Sequence, residues 1–309
     1  MFHNVLIIKH GALGDLIQTT GSFKLIRKKY PESKITLLTD IKFEFFTKNI
    51  IFVDEIIYEN RPSFIRLDLW LKIIFKLIYK NFDIVIDLQN SDRTSIYYFF
   101  LKMFNLKIIW SGNRHGGKNK YHPKNFEHVP IKERISNQLK LINIQGNNDP
   151  DISWMITDGI EDLPKKKFLI LLPGSSPKLR HKRWPAEKYA ELAIRLKKQN
   201  IDTVILGQVS SEGDEINKIK LLSPDTHDRS NRDLSYLATV ASKAIGAVAN
   251  DSGPAFIAAA AGCPVTWLLS SHTNPKLTQL VGSKVNTLKK EDIKEISVEE
   301  VENNLALRH

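Results

Sequence analysis

The first residues that could do chemistry follow a short apolar segment near the N-terminus. Gly11 and Gly14 bracket a turn, and Asp15 opens the helical pattern that comes next. Glycines let the backbone turn sharply and approach a ligand closely, although the G-x-x-G spacing is not the G-x-G-x-x-G of dinucleotide sites. Asp15 has two interpretations: an acid that the helix dipole favours, or a carboxylate that serves as a general base.

A second turn carries hydroxyl groups and positive charge. Ser175 and Ser176 follow an apolar segment and a Pro-Gly pair. Four cations stand within the six residues from 178 to 183, namely Lys178, Arg180, Lys182 and Arg183. Backbone N–H groups, hydroxyls and cations together suit a phosphate, but the spacing is not that of a Walker A loop. The segment is interpreted either as a phosphate site or as a solvated basic loop.

A third turn, Asp251-Ser252-Gly253, leads into an alanine-rich helical pattern. We expect Ser252 to cap that helix, and the free N–H groups of a helix N-terminus favour an anion. Asp251 would repel a phosphate, so it is expected to bind hydroxyl groups or to orient the turn. The alternative is a plain capped helix.

The elements that must position these turns alternate between short apolar strands and longer helical patterns. This alternation is typical of parallel α/β architecture, and 309 residues suit two domains. Polar residues near 145–151 and 158–167 predict a linker, which gives domains 1–155 and 156–309. In open α/β sheets ligands bind beyond the carboxyl ends of the strands, so two such sheets predict a cleft between them.

Cysteine and histidine usage argues against several classes of site. The single cysteine, Cys263, allows no intramolecular disulfide and is expected to be buried packing rather than a nucleophile. The nine histidines show no zinc spacing, so no metal is expected. No signal peptide or membrane-spanning segment is evident, which predicts a cytoplasmic protein.

The positive charge is concentrated in the first half of the chain. The net charge is +11 and the pI is about 9.5. Residues 1–155 hold 23 Lys and Arg against 15 Asp and Glu, a net of +8, whereas residues 156–309 have a net of +3. This surplus favours an anionic partner, which could be a phosphorylated glycolipid, a membrane surface or a nucleic acid.

Taken together, the three turns and a strand-like segment resemble glycosyltransferase family 9, which includes the ADP-heptose:lipopolysaccharide heptosyltransferases. The matching segments are IKHGALGDLIQTTGSFKLIRKKYP, FDIVIDLQNSDRTS, LLPGSSPKLRHKRWPAEKYAELA and ANDSGPAFIAAAAGCPV. The resemblance implies a GT-B fold of two Rossmann-like domains. It also implies inverting, metal-independent transfer from an ADP-sugar to an anionic glycolipid acceptor, with no cofactor.

The resemblance also implies roles for single residues. Asp15 would deprotonate the acceptor hydroxyl, and Lys182 would neutralise the departing diphosphate. The donor would be bound in the C-terminal domain by residues that match the family's motifs. These are Ser175, Ser176, Asp251, Ser252 and Gly253, with Glu212 near the ribose, while Gly11 and Gly14 shape the first turn.

Three positions depart from the family's usual residues. Phe256 stands where histidine is common, which would remove a hydrogen-bonding side chain beside the donor. Gln18 replaces a frequent histidine, and Gly21 replaces a usual proline. These departures bear on heptose specificity more than on glycosyl transfer.

Four other functions compete with this one. A nucleotide-sugar epimerase or dehydrogenase would show G-x-G-x-x-G and a Tyr-x-x-x-Lys pair, and neither appears. A nucleic-acid-binding protein would interleave basic and exposed aromatic residues, whereas the aromatic residues here lie in core-like helical patterns, so no nucleic acid is expected. A non-catalytic nucleotide-binding relative and a transferase that uses another nucleotide-sugar both stay open.

The segment 64–80 has two interpretations. Lys72, Lys76 and Lys80 fall on one stripe of a helix, and apolar residues fill most of the rest. The helix is expected to pack against the sheet with a narrow lysine face in water. Alternatively, part of its apolar surface, including Trp70, contacts the inner face of the cytoplasmic membrane.

Overall fold

The computed structural model describes residues 2–63, 65–112, 119–122, 125 and 128–308, so Phe64 lies outside the described residues. The chain divides into two compact units, Met1–Pro150 and Asp151–His309. The predicted boundary after residue 155 lies five residues beyond this division.

The first unit contains a parallel sheet whose described strands have the order β3-β2-β1-β4-β5-β6. The strands are β1 (Asn4–Ile8), β2 (Lys34–Asp40), β3 (Glu55–Glu59), β4 (Ile84–Asp87), β5 (Ile109–Gly112) and β6 (Asn119–Lys120). β1 and β4 are buried along almost their whole length, as expected when helices cover both faces of a parallel sheet. The strand order reverses between β1 and β4, which makes their carboxyl ends the switch point of the sheet.

Helices follow the strands of the first unit. They are α1 (Leu13–Lys29), α2 (Glu44–Thr47), α3 (Leu67–Tyr79), α4 (Asp92–Phe104) and α5 (Ile131–Lys140). One core cluster joins β1 and β4 to α3 and α4 through side chains such as Leu6, Val85, Trp70 and Tyr97. Trp70 is therefore buried, which corrects the expectation that it is available to a membrane.

The second unit repeats the same topology. Its parallel strands are β7 (Phe168–Leu172), β8 (Asp202–Ile205), β9 (His227–Asp228), β10 (Gly246–Asn250), β11 (Val265–Leu269) and β12 (Val285–Lys289). Their order, β12-β11-β10-β7-β8-β9, places the switch point between β7 and β10. In both units, the loops that follow the two neighbouring strands at the switch point therefore leave the sheet in opposite directions.

The helices of the second unit are α6 (Ala186–Lys198), α7 (Val209–Leu222), α8 (Leu234–Lys243), α9 (Gly253–Ala260) and α10 (Val298–Asn303). Trp184 and Tyr189 are fully buried and contact each other edge to face at 4.9 Å between ring centroids. Their cluster includes residues of α7 and α10 and so closes one face of the sheet.

The elements differ from the sequence-based expectation mainly at the edges of the sheets. β6 and β9 have two residues each and carry no recognisable period. β12 is only partly buried, and its alternation of polar and apolar side chains is weak.

Candidate functional site

In the first unit a pocket of about 180 Å³ lies at the carboxyl ends of β1 and β4. It is lined by the polar residues Lys9, Asp15, Gln89, Asn90, Arg134 and Gln138, and by the apolar residues Leu88, Ile131 and Ile135. The pocket thus occupies the switch point, where an open α/β sheet accepts its ligand.

Asp15 reaches this pocket from the first turn of α1. The side chain is partly buried, and the helix dipole favours a negative charge at that end of the helix. Gly11, in the loop before α1, has φ +131°, and a Cβ there would overlap the ring of Phe43. The loop therefore needs glycine at this position to deliver Asp15 to the pocket.

Two cations, Lys9 and Arg134, share the pocket with Asp15. Lys9 is 5% exposed, and its Nζ donates to the carbonyl of Leu88 at 3.4 Å. Burial lowers the pKa of both Lys9 and Arg134, and the negative charge of Asp15 opposes that shift in each case. An anionic ligand group in the pocket would therefore meet two partly desolvated cations.

The turn after β4 is braced from within and from α5. The buried Asp87 carboxylate accepts from the backbone N–H groups of Gln89 and Asn90 at 3.0 and 2.8 Å, and burial raises its pKa. Gln138 donates to the Asp87 carbonyl at 3.0 Å and accepts from the Asn90 side chain at 3.0 Å. These bonds fix the polar wall of the pocket opposite Asp15.

The loop that precedes Asp15 is held by a buried charge network. The backbone N–H of His10 donates to Gln89, and His10 Nε2 lies 2.9 Å from Glu59. Glu59 also pairs with Arg93 at 2.5 Å. Burial works to raise the pKa of Glu59, but His10 and Arg93 outweigh it, and the pKa is lowered.

In the second unit, three loops at the carboxyl ends of β7, β10 and β11 meet at Lys182. Lys182 Nζ donates to Asp251 at 2.7 Å and to the hydroxyl of Thr273 at 3.1 Å. The Thr273 hydroxyl in turn donates to Asp251 at 2.6 Å. Lys182 and Asp251 keep 15% of their side-chain surface exposed, so the ion pair is reachable by a ligand.

The side chain of Arg183 holds the cationic loop after β7 together from within. Arg183 is buried, and its guanidinium donates to the hydroxyl and carbonyl of Ser175 and to Glu215. The Ser175 hydroxyl also donates to the carbonyl of Leu179 at 2.9 Å. Ser175 therefore shapes the loop, whereas Ser176 is exposed beside it.

Asn250 ties the first and second loops of this site together. Its side chain is fully buried and accepts from the Trp184 backbone N–H and from the Tyr189 hydroxyl, each at 3.1 Å. It donates to the carbonyl of Pro173 at 2.7 Å. The turn that contains Asp251 is thus fastened to the turn that follows β7.

Comparison with known proteins identifies this arrangement. Residues 70–306 match Glycosyltransferase family 9 (heptosyltransferase). The chain belongs to this family. It is therefore a glycosyltransferase, as the sequence motifs predicted. No curated protein is significantly similar to it in sequence.

Solved structures of family 9 proteins share the fold. A family 9 glycosyltransferase from Veillonella parvula superposes with a TM-score of 0.80 at 21% identity, over 98% of this chain and 95% of that one. ADP-heptose lipopolysaccharide heptosyltransferase II of Escherichia coli gives 0.74 at 18% identity, over 97% of each chain. E. coli heptosyltransferase WaaC with ADP-2-deoxy-2-fluoro heptose gives 0.74 at 17%, over 97% and 98%. These likenesses confirm the predicted GT-B fold class.

Two residues of the donor-domain motif, Ser252 and Phe256, lie at or near the start of α9. Ser252 occupies the cap position of α9 but makes no capping bond, and its buried hydroxyl has no partner among the described residues. Phe256 is buried, with its ring centroid 6.1 Å from that of Trp267. Ser252 therefore stands at the predicted cap position without the capping bond, and Phe256 belongs to the apolar core of the unit.

Glu212 lies against two glycines, Gly174 after β7 and Gly207 after β8. Its carboxylate accepts from the backbone N–H of Gln208 at 3.0 Å, and a Cβ at Gly174 or Gly207 would overlap it. Burial raises the pKa of Glu212. Glu212 follows the second strand of its unit, the part of a Rossmann fold at which an acid can contact a ribose.

The other two departures from family 9 lie on α1. Gln18 is buried, and neither its side-chain oxygen nor its nitrogen has a partner among the described residues. Gly21 lies against the backbone of Asn148 and Asp149, and a Cβ there would overlap both. Glycine at position 21 therefore lets another segment of the unit cross α1 closely.

Cys263 is buried, and burial raises its pKa to about 12, so it is a packing residue as expected. Within the described ranges, no group of three or more His, Cys, Asp or Glu side chains could hold a metal ion. No helix in the described part of the chain is long and apolar enough to cross a membrane.

Sequence reasoning missed Lys9, Arg134, Gln138, Asn250 and Thr273 as site residues. Lys9 and Asn250 stand inside quoted motifs, so their position at strand ends was a usable signal. Arg134, Gln138 and Thr273 lie in segments without a motif, and only the order of the strands brings them to the site.

Proposed function

We propose that the chain is an inverting, metal-independent transferase that moves heptose from an ADP-sugar to a lipopolysaccharide-core acceptor. The observation that carries this proposal is the position of Asp15 in a pocket with Lys9 and Arg134 at the switch point of the first unit. A carboxylate held among cations at a ligand site suits a general base that acts on an anionic acceptor.

In the proposed reaction Asp15 takes the proton of the acceptor hydroxyl. The acceptor oxygen then bonds to the anomeric carbon of the sugar as the bond to the diphosphate breaks. The nucleoside diphosphate leaves with both electrons of that bond. Attack on the face opposite the leaving group inverts the anomeric configuration.

The first unit binds the acceptor in this proposal, and the second binds the donor. Lys182 would exchange its bond with Asp251 for one with the departing diphosphate, because negative charge grows there in the transition state. The unpartnered hydroxyl of Ser252 and the N–H groups at the start of α9 would also contact phosphate. Glu212 would contact the ribose.

The identity of the donor is proposed from similarity to solved structures. One of the similar E. coli structures is of a heptosyltransferase with ADP-2-deoxy-2-fluoro heptose, and another is of an ADP-heptose transferase. A lipid-borne acceptor would place the enzyme in the cytoplasm, peripheral on the inner face of the cytoplasmic membrane. Transfer that continues at full rate in excess EDTA would agree with metal independence.

Replacing Asp15 tests the mechanism. Asp15→Asn keeps the size of the side chain but removes the base, so transfer should slow roughly 10²- to 10⁴-fold. ADP binding by calorimetry should stay unchanged. Glu44→Asn, at an exposed acid that opens α2, is the matched control and should transfer at the parental rate. Near-parental transfer by Asp15→Asn would remove Asp15 from the mechanism.

A transferase of the same fold that uses another nucleotide-sugar is the second candidate, because Phe256 and Gln18 depart from the family. Thermal unfolding with ADP, UDP or GDP separates the two. A nucleotide at about 100 times its dissociation constant adds about 2.7 kcal/mol to the free energy of unfolding. A larger shift with UDP or GDP than with ADP would favour the second candidate.

A further inference from the structure

α3 and α4 pack side by side on one face of the first sheet, and both leave large apolar side chains outside. On α3 the exposed fractions are 47% for Leu71, 60% for Phe75 and 91% for Tyr79. On α4 and just beyond it they are 62% for Phe99, 54% for Met103 and 78% for Leu106. We call these six residues the α3–α4 patch.

The patch is additional to what these helices need for folding. α3 already buries Trp70, Ile73, Ile74 and Leu77 against the sheet. At 100° per residue, Phe75 and Tyr79 point to the opposite side of the helix. Single exposed apolar residues are ordinary, but several on adjacent helices mark a surface that contacts something apolar.

Exposed lysines border the patch on α3. Lys72 and Lys76 are exposed on the outer side of α3, and neither has an ion-pair partner among the described residues. The acid on the same side, Asp68, is neutralised by Arg66 through two hydrogen bonds of 3.0 and 2.9 Å. Apolar and aromatic side chains with lysines at their border complement the interface of a membrane that has anionic headgroups.

The two helices are also joined to the loop that carries Asp15. Arg93, in the first turn of α4, pairs with Glu59, which contacts His10, the residue immediately before Gly11. The guanidinium of Arg93 lies 4.3 Å from the centroid of the Trp70 ring on α3. A surface on α3 and α4 is therefore rigidly connected to the proposed acceptor pocket.

We propose that the α3–α4 patch docks on a lipid bilayer that contains anionic headgroups and so holds the Asp15 pocket at a fixed orientation to it. The reason for docking rests on the proposed function, in which the acceptor is lipid-borne. The docking itself needs neither donor nor acceptor. Phe75, Tyr79 and Phe99 enter the interfacial region, and Lys72 and Lys76 contact the headgroups.

Co-sedimentation of the full chain with vesicles tests this surface. Vesicles of phosphatidylethanolamine and phosphatidylglycerol should bind the parent, with less binding as salt rises, whereas phosphatidylcholine vesicles should bind it weakly. Phe75→Ser with Phe99→Ser should reduce the partition coefficient about tenfold or more, because each change removes an apolar side chain that the bilayer interface would otherwise bury. Lys72→Gln with Lys76→Gln should reduce it to a similar extent and abolish most of the salt dependence.

Leu221→Ser is the matched control, because Leu221 is 79% exposed on α7 of the second unit. It should bind vesicles like the parent, and all variants should keep the parental shift of unfolding temperature with ADP, which shows that they are folded. Parental binding by the double phenylalanine variant would overturn the proposal. The proposal would also be overturned if the parent failed to bind anionic vesicles. It would be overturned as well if the parent formed a dimer in solution that the phenylalanine changes dissociate. An Asp15→Asn variant that still transfers sugar would refute the proposed base and leave vesicle binding unaffected.

Discussion

At the scale of single residues, the ammonium group of Lys182 is positioned by two groups that would compete with an anionic ligand for it. Asp251 and Thr273 fix the ammonium group at 2.7 and 3.1 Å. An incoming diphosphate would share that cation with Asp251, whose own charge repels phosphate. In the proposed reaction, the carboxylate that positions Lys182 would therefore limit how tightly a nucleoside diphosphate binds.

Removing the cation should expose that repulsion. Lys182→Ala is expected to weaken ADP binding by about 1.5–3 kcal/mol, the range for a hydrogen bond to a charged group, and to lower turnover as well. Calorimetry with ADP and a rate measurement would show both effects. Lys178→Ala, at an exposed lysine of the same loop, is the control and should bind ADP like the parent. Unchanged ADP affinity in Lys182→Ala would mean that the donor diphosphate binds elsewhere.

At the scale of elements, α1 both carries the proposed base and packs closely against another segment. The crossing at Gly21 brings the backbone of Asn148 and Asp149 against the helix. Glycine inside a helix normally costs about 0.5–1 kcal/mol relative to alanine. At position 21 this destabilisation is tolerated because no side chain fits at the crossing.

The crossing predicts an unusual sign for a helix substitution. Gly21→Ala should lower the free energy of unfolding by roughly 1–3 kcal/mol, because the overlap outweighs the gain in helix propensity. Gly213→Ala in α7 is the matched control, since its Cβ would meet only the Val209 side chain, at 3.3 Å. That change should be neutral or stabilise by up to about 1 kcal/mol. Urea unfolding of both variants decides the matter, and a stabilised Gly21→Ala would contradict the crossing.

At the scale of the whole molecule, two units with the same strand order present different chemistry at equivalent positions. The switch point of the first holds a carboxylate between two cations, and that of the second holds a lysine paired with an aspartate. In the proposed function, one topology used twice offers one site for a base and another for a leaving group.

This division should be visible in amide hydrogen exchange. ADP is expected to slow exchange in peptides that cover 174–183 and 250–256, because binding orders those loops. Peptides that cover 131–140 should exchange at the rate seen without ADP. Protection that appears at 131–140 instead would show that the nucleotide binds in the first unit and that the proposed roles are reversed.

The sequence by itself determined the class of fold and the position of the reactive turns. Alternating apolar strands and amphipathic helices follow from local periodicity, so the α/β class and most element boundaries were predictable. Asp251 follows β10 directly, and Asp15 and Lys182 stand in the motif segments after β1 and β7, so the sequence alone could propose all three as site residues. The family was predictable from the same motifs.

The tertiary structure decided which side chains share a site. β4 lies beside β1 only because long-range packing sets the strand order, and that order brings Arg134 and Gln138 of α5 to Asp15. Only the folded loops show that the Ser175 hydroxyl bonds within its own loop and that Ser252 makes no capping bond. The apolar pattern of α3 is compatible with burial on either side, and only its packing on the sheet shows that Trp70 faces inward and Phe75 outward. A side chain's partners depend on residues far away in the chain, whereas the tendency to form a strand or a helix depends on its neighbours.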